Sequence, residues 1–356
     1  MISRPTLLVD QSKAEKNIRS VQERCERHGL SFRPHFKTHQ SITVGNWYKA
    51  LGVKKITVSS VVMAEYFIQD GWADVLIAFP YNPLEAANIN RLAEKAKVGV
   101  LIESVESLEH LKLNVSNRVN FHIAIDCGYK RTGVSYTNAG LIERLMTKNS
   151  HHLFSGWVTH AGHAYSARGR NEIEPIHRQA LHNLGQLIEA IGEKPYLSYG
   201  DTPSASTSEY WEHIDELRCG NMVYYDLTQA VVGSCEKEDI SVAIACPVVS
   251  KHPERNEMVV YGGGVHFSKD RLELNGETLY GQAVMITNDG WEIIEGVTMK
   301  DLSQEHGKVS APSSFIENTA IGDVIGFLPV HSCMAADLLV LQKTMSGQPI
   351  QKLQLK

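Results

Sequence analysis

The chain has 356 residues, a formal net charge of −5, 43% hydrophobic and 21% charged residues, and a pI near 6.3. That length exceeds a usual single core, so two domains are expected. No basic run favours nucleic acid or an anionic membrane, and no apolar stretch reaches transmembrane length. The opening Met1-Ile2-Ser3-Arg4-Pro5 lacks the charged and apolar regions of a signal peptide, which predicts a cytoplasmic protein. Six cysteines, at 25, 127, 219, 235, 246 and 333, show no C-x-x-C spacing. This argues against a disulfide framework or a zinc ribbon.

Thr6-Leu7-Leu8-Val9 reads as a strand, and an amphipathic helix follows over Ser12 to His28, closed by Gly29. Strands are then predicted at 30–37, 54–60, 74–79, 97–103, 120–126, 153–160, 196–202 and 217–225. Helical pattern fills most gaps: Met63 to Gln69, Pro83 to Ala96, Val105 to Leu111, Ala139 to Lys148 and Ile173 to Ile191. Alternating strands and helices imply parallel pairing with right-handed crossovers, and eight strands are the number for a closed (β/α)8 barrel. A doubly wound open sheet competes on strand count alone.

After residue 235 the texture changes. Ser241–Ser250, Glu257–Gly262, Thr278–Ile286, Ile293–Met299 and Asp323–Leu328 are strand-like, and helical periodicity nearly disappears. The expected division is a (β/α)8 barrel over 1–235 and an all-β domain over 236–356 that carries the metal ligands, with the N-terminal strand at 5–10 packing against that β domain.

Polar residues gather at the ends of the predicted barrel strands, where barrels keep their chemistry. In Arg33-Pro34-His35-Phe36-Lys37-Thr38-His39, extended backbone puts Arg33, His35, Lys37 and His39 on one face. Buried there, four cationic or ionisable groups need partners, and an anionic cofactor is one. A lone lysine at a strand end is usually a solvated charge. Asp126 to Gly133, with Arg131, follows the fifth strand; His160, His163 and Tyr165 follow the sixth; Gly200 to Ser204 follows the seventh; Arg218 to Asn221 lies in the last. Asp126 with Arg131 also reads as a surface ion pair, His160 and His163 as core histidines, and Ser204 as a helix N-cap. On the functional reading, Thr202, Ser204, Gly220 and Asn221 hold a phosphate. Gly262-Gly263-Gly264 lacks dinucleotide spacing and reads as a tight turn or bulge. His331 and Cys333, at i and i+2 in presumed extended chain about 7 Å apart, share a face. Imidazole plus thiolate suits Zn²⁺, while a buried cysteine beside a histidine is the plainer alternative.

Taken together, Pro34 to His39, Asp126-x-Gly128 with Arg131-Thr132-Gly133, Gly162-His163-x-Tyr165, Gly200-x-Thr202-Pro203-Ser204, Leu302 to Gly307 and Pro329-x-His331-x-Cys333 resemble the D-serine dehydratase and D-threonine aldolase family. These are pyridoxal-phosphate enzymes of the alanine racemase-like fold. The resemblance spans nearly the whole chain. It implies a cofactor-carrying barrel, a β domain that completes the site, and a homodimer. It also implies pyridoxal 5'-phosphate bound as a Schiff base to Lys37, with Tyr165 beside it, Arg131 near its phenolic oxygen and Arg218 at its pyridine nitrogen. Cys219 stands beside Arg218 where the family more often has proline. Thr202, Ser204, Gly220 and Asn221 take the phosphate, and His331 with Cys333 take a zinc ion.

The family's aldolases generally carry aspartate at the position of Cys333, so the resemblance points to the zinc-dependent dehydratase branch. The expected activity is that of a carbon–nitrogen lyase, converting D-serine to pyruvate and ammonia with Lys37 as general base. The alternative is a metal-dependent aldolase or dehydratase acting on D-threonine or 3-hydroxyaspartate. A non-enzymatic pyridoxal-phosphate-binding protein is a third reading, but such proteins resemble the barrel alone.

Overall fold

The computed structural model describes residues 2–146, 151–274 and 276–354. Among the described residues nine parallel strands form the first sheet: eight in a ring, and Val134–Ser135 paired beside the end of Asn120–Asp126. Around the ring run Ser31–Phe32, Ile56–Val58, Asp74–Pro80, Lys97–Ile102, Asn120–Asp126, Leu153–Thr159, Leu197–Tyr199 and Glu216–Leu217, with each strand from Asp74–Pro80 onward paired to its predecessor. The last pairs with the first in parallel register, Glu216 to Ser31. His35 bridges Thr57 in parallel, and Phe36 N–H donates to Thr57 O at 2.8 Å. Those contacts close the sheet into the expected barrel. Its interior carries a small apolar plug of Leu76, Leu101, Ala124 and Val158. The larger core lies between strands and helices.

The first helix runs Gln11–Arg27, capped by Asp10, which accepts from Lys13 N–H at 3.0 Å. Gly29 takes φ +66 just past its end. That left-handed backbone suits glycine. Several sequence expectations fail at the edges. Residues 217–225 are a strand only at Leu217; Asn221–Val223 is a 3-10 turn. Leu217, Met222, Val223 and Tyr224 are buried, and an apolar run covered on all sides carries no period to separate strand from helix. The helix expected over 139–148 is described as Ala139–Leu145, and 147–148 lie outside the described residues.

The second sheet is antiparallel except where Thr6–Val9 pairs with Gln342–Thr344 in parallel. Glu257–Tyr261, His306–Ser310, Trp291–Leu302, Gly281–Ile286, Val324–Pro329 and Val242–His252 follow one another, and Val242–His252 pairs back to Glu257–Tyr261. Thr6–Val9 joins this sheet against Val242–Ala245, with Gln342–Thr344 on its other side. The chain therefore starts in one sheet, builds the barrel, and returns. This anchors the barrel at both ends to the sheet whose strand Val324–Pro329 leads into His331 and Cys333.

Candidate active site

The strand alternation expected through residue 39 stops at His35. Residues 36–39 form a turn in which Gln40 N–H reaches Phe36 O at 2.9 Å. Phe36 points outward into aromatic packing with Tyr48, Phe67 and Trp72, at centroid distances of 5.0, 4.9 and 5.1 Å. His39 turns the same way, against Phe36 and Tyr48, and accepts Ser41 N–H at 3.0 Å. Burial drives its imidazole down to about 3, so it is a neutral core histidine and not a fourth cation beside Lys37. Arg33 is matched lower in the barrel, by Glu216 at 3.1 Å and Asp74 at 2.6 Å. His35 stays neutral because burial, then Lys37 and Arg218, push its pKa well down. Of the four expected cations, Lys37 alone faces the barrel mouth as an unpaired charge.

Around that mouth the other predicted residues converge unequally. Arg218 is buried; its Nε donates to Ser198 Oγ at 2.8 Å and Nη2 to Thr159 O at 2.6 Å, while among the described residues Nη1 makes no hydrogen bond. Tyr165 lies in the 3-10 turn Gly162–Ser166, and its hydroxyl accepts Thr202 N–H at 3.2 Å. Burial, then Asp201, push the Tyr165 phenol up. The N-cap of helix Thr202–Thr207 is Asp201, not Ser204: it accepts Ser204 N–H at 2.6 Å. Among the described residues the buried hydroxyls of Thr202 and Ser204 meet no partner at hydrogen-bond geometry, though they lie beside Tyr165 and Asp201. Gly220 lies so close to the first strand that a Cβ there would sit 2.5 Å from His35 O. Asn221 spends its amide nitrogen on Asp226 at 2.7 Å, Ser332 at 3.1 Å and Cys333 at 3.4 Å. Only its backbone and its unpartnered Oδ1 remain for a ligand. Arg131 is exposed, its guanidinium 5.2 Å from the centroid of Tyr129.

The chain Pro329 to Cys333 is not extended throughout. His331 is the N-cap residue of helix Ser332–Leu338, and Cys333 lies in its first turn. The two side chains still meet. His331 is raised to about 10: burial opposes this, but hydrogen bonding to Cys333 and the charges of Cys333 and Asp226 outweigh it. The Cys333 thiol is held below its usual range despite burial, through His331 and then Lys37. Thr38, next to Lys37, has its hydroxyl 3.2 Å from Cys333 Sγ. Lys37 and the His331/Cys333 pair thus meet within one chain.

Sequence reasoning passed over four residues here. Thr38 stands in the sequence only as one member of the Pro34 to His39 motif. His160 was noted without a role; its Nδ1 bonds Gly200 O, and burial, then Arg131 and Lys37, drive it down to about 3. Asp226 is 1% exposed and accepts Ser332 N–H at 2.9 Å, tying the barrel to the Cys333 turn. Asp270 sits 2.7 Å from His331 Nδ1. Asp226 and Asp270 carry no spacing signal, being 106 and 61 residues from their partners.

Residues 9–228 match the family description "Alanine racemase, N-terminal domain", and residues 241–341 match "Putative serine dehydratase domain". The chain belongs to the D-serine dehydratase and D-threonine aldolase family. A D-serine dehydratase of Dictyostelium discoideum is 28% identical, with 94% of this chain and 91% of that protein aligned. A 3-hydroxy-D-aspartate aldolase of Paracoccus denitrificans is 31% identical, over 93% of this chain and 85% of its own. The solved D-threo-3-hydroxyaspartate dehydratase from Delftia sp. HT23 superposes with a TM-score of 0.90 at 23% identity, covering 100% of this chain and 99% of that one. A cysteine-to-alanine mutant of that dehydratase was solved in the metal-free form, with a TM-score of 0.92. The D-serine dehydratases this chain resembles are lyases, and the chain is an enzyme of that kind.

Proposed function

We propose that the protein is a pyridoxal-phosphate- and zinc-dependent D-serine dehydratase. The observation that carries this reading is a thiol–imidazole pair, Cys333 and His331, linked by Thr38 to the turn that holds Lys37. The residues fit an anionic cofactor. Lys37 and the free Nη1 of Arg218 supply positive charge, and the unpartnered buried hydroxyl of Thr202 awaits an acceptor or donor. Gly220 and Asn221 add backbone N–H groups without a backbone acceptor. The pair also fits a soft divalent ion. Among the described residues no set of three or more His, Cys, Asp or Glu side chains converges. Two protein ligands leave positions for substrate, as a catalytic rather than structural ion needs.

When bound, pyridoxal phosphate supplies an electron sink and zinc a Lewis acid. The chain's own groups do the rest. Lys37 Nζ takes the proton from Cα of the amino acid. Tyr165, fixed by Thr202 N–H, borders the cofactor. Thr38 and Asn221 hold Cys333 Sγ in place toward the leaving hydroxyl. D-serine would then yield pyruvate and ammonia, the water lost from Cβ being recovered on hydrolysis. The chain acts on this reading as a homodimer in the cytoplasm; among the described residues no helix is long and apolar enough to cross a membrane.

The second reading, an aldolase or dehydratase on D-threonine or 3-hydroxyaspartate, is favoured by the 31% identity to an aldolase. Incubation with a panel of D-β-hydroxy amino acids decides between them. D-serine should give pyruvate, and turnover should stop on verified metal removal. Glycine plus aldehyde as the sole products refutes the dehydratase reading.

A further inference from the structure

Gly262-Gly263-Gly264 has no part in the site described so far, yet the chain is folded tightly there. A Cβ on Gly263 would overlap the carbonyls of Ser303 and Gln304, and Gly264 N–H donates to Ser303 O at 2.7 Å. Only glycine permits that approach. The segment continues as the short helical turn Gly264–Phe267 and ends at Ser268, which is buried at φ +69. A serine in left-handed backbone is strained, and such strain persists where the surroundings enforce it.

What the turn delivers is Asp270. Its N–H donates to Ser268 Oγ at 3.1 Å, and Ser268 Oγ donates back to Asp270 Oδ2 at 3.1 Å. That same oxygen lies 2.7 Å from His331 Nδ1. A histidine has two ring nitrogens, and a bond at one fixes what the other does. With Nδ1–H donated to a carboxylate, Nε2 is the nitrogen left as a ligand.

We propose that Asp270 is a positioning residue: it holds His331 by Nδ1 so that Nε2, with Cys333, faces a metal ion. This rests on the metal reading above. Metal-ligating histidines are commonly oriented by a carboxylate on their other nitrogen, and removing it weakens metal binding about 10- to 100-fold. The glycine run and Ser268 thereby acquire a purpose, which is to seat the Asp270 carboxylate.

The test is metal affinity, by competition with a chromogenic chelator, on the full chain, wild type and D270A, D270N and H331A, with thermal melting to confirm folding. Wild type should bind Zn²⁺, H331A should lose it, and D270A should bind about 10- to 100-fold more weakly. D270N, whose amide oxygen still accepts from Nδ1–H, should fall between. Wild-type affinity in both Asp270 variants, with H331A inactive in binding, overturns the role of Asp270 and leaves the metal reading intact. Absence of binding in wild type overturns both. Co²⁺ absorption supplies a further check: an unchanged coordination number in D270A is expected, and a lowered one would make Asp270 a ligand and overturn the positioning role.

Discussion

Replacing Glu216 with glutamine should destabilise the fold by about 3 kcal/mol at neutral pH. Glu216 is 2% exposed on the last barrel strand. Its carboxylate receives Arg33 Nε at 3.1 Å on both oxygens, Lys55 Nζ at 2.5 Å and Ser198 Oγ at 2.6 Å. Burial alone raises its pKa, but Arg33, then Lys55 and Ser198, bring it down from 4.5 to about 2. That gap, at about 1.4 kcal/mol per pH unit, gives about 3 kcal/mol. The figure agrees with the ~3–5 kcal/mol for breaking a buried ion pair by removing one partner. Because the folded pKa is depressed, the stabilisation is complete above about pH 4.5 and is lost as pH falls toward 2. Urea midpoints of wild type and E216Q at pH 7 and at pH 3 measure it. The difference should be about 3 kcal/mol at pH 7 and clearly smaller at pH 3. A difference below about 1 kcal/mol at pH 7, or one that does not change with pH, would refute the electrostatic argument.

Two further outcomes concern the cofactor. Borohydride reduction of the pyridoxal-phosphate-loaded protein, followed by peptide mapping, should place the label on Lys37; a label on another lysine removes Lys37 from the mechanism. Thr202→Val deletes a buried hydroxyl with no hydrogen bond among the described residues, and should weaken pyridoxal-phosphate binding by roughly 10-fold, read by fluorescence titration, with little change in melting temperature. Unchanged affinity would mean that the hydroxyl does not face the phosphate.

Much of the arrangement around Lys37 could be read from the chain because it is local. Strand-to-loop transitions mark the barrel mouth, so Lys37, Tyr165, Thr202 and Arg218 could be ranked by their position after a strand. What escaped was set by contacts distant in sequence. Arg33 meets Glu216, 183 residues away, and Asp74, 41 residues away; nothing near Arg33 announces either. His39 follows an alternating pattern in sequence, but the turn at 36–39 sends it into the aromatic core, where Tyr48 and Phe67 form its environment. Cys333 was placed on extended chain because Pro329 to Cys333 shows no helical period. The helix is defined only by residues after it, and His331 at its N-cap makes no side-chain capping bond that would mark the start.

The opening electrostatic problem of the sequence therefore resolves by sorting charges rather than by one compensating anion. Arg33 is neutralised inside the barrel by Glu216 and Asp74, His35 and His39 give up their protons, and Arg218 is anchored to Ser198 and Thr159 with one nitrogen unbound. Removing three of the four expected charges matters for the chemistry. A mouth crowded with cations would bind any anion tightly and without geometry. A mouth with one free lysine, an Arg218 fixed by Ser198 and Thr159, and a thiol reached through Thr38 is directional: each group comes from a different element of the fold. On the proposed function, selectivity among β-hydroxy amino acids would rest on the His331/Cys333 turn, which follows strand Val324–Pro329 and is tied to the barrel by the Ser332 N–H to Asp226 bond.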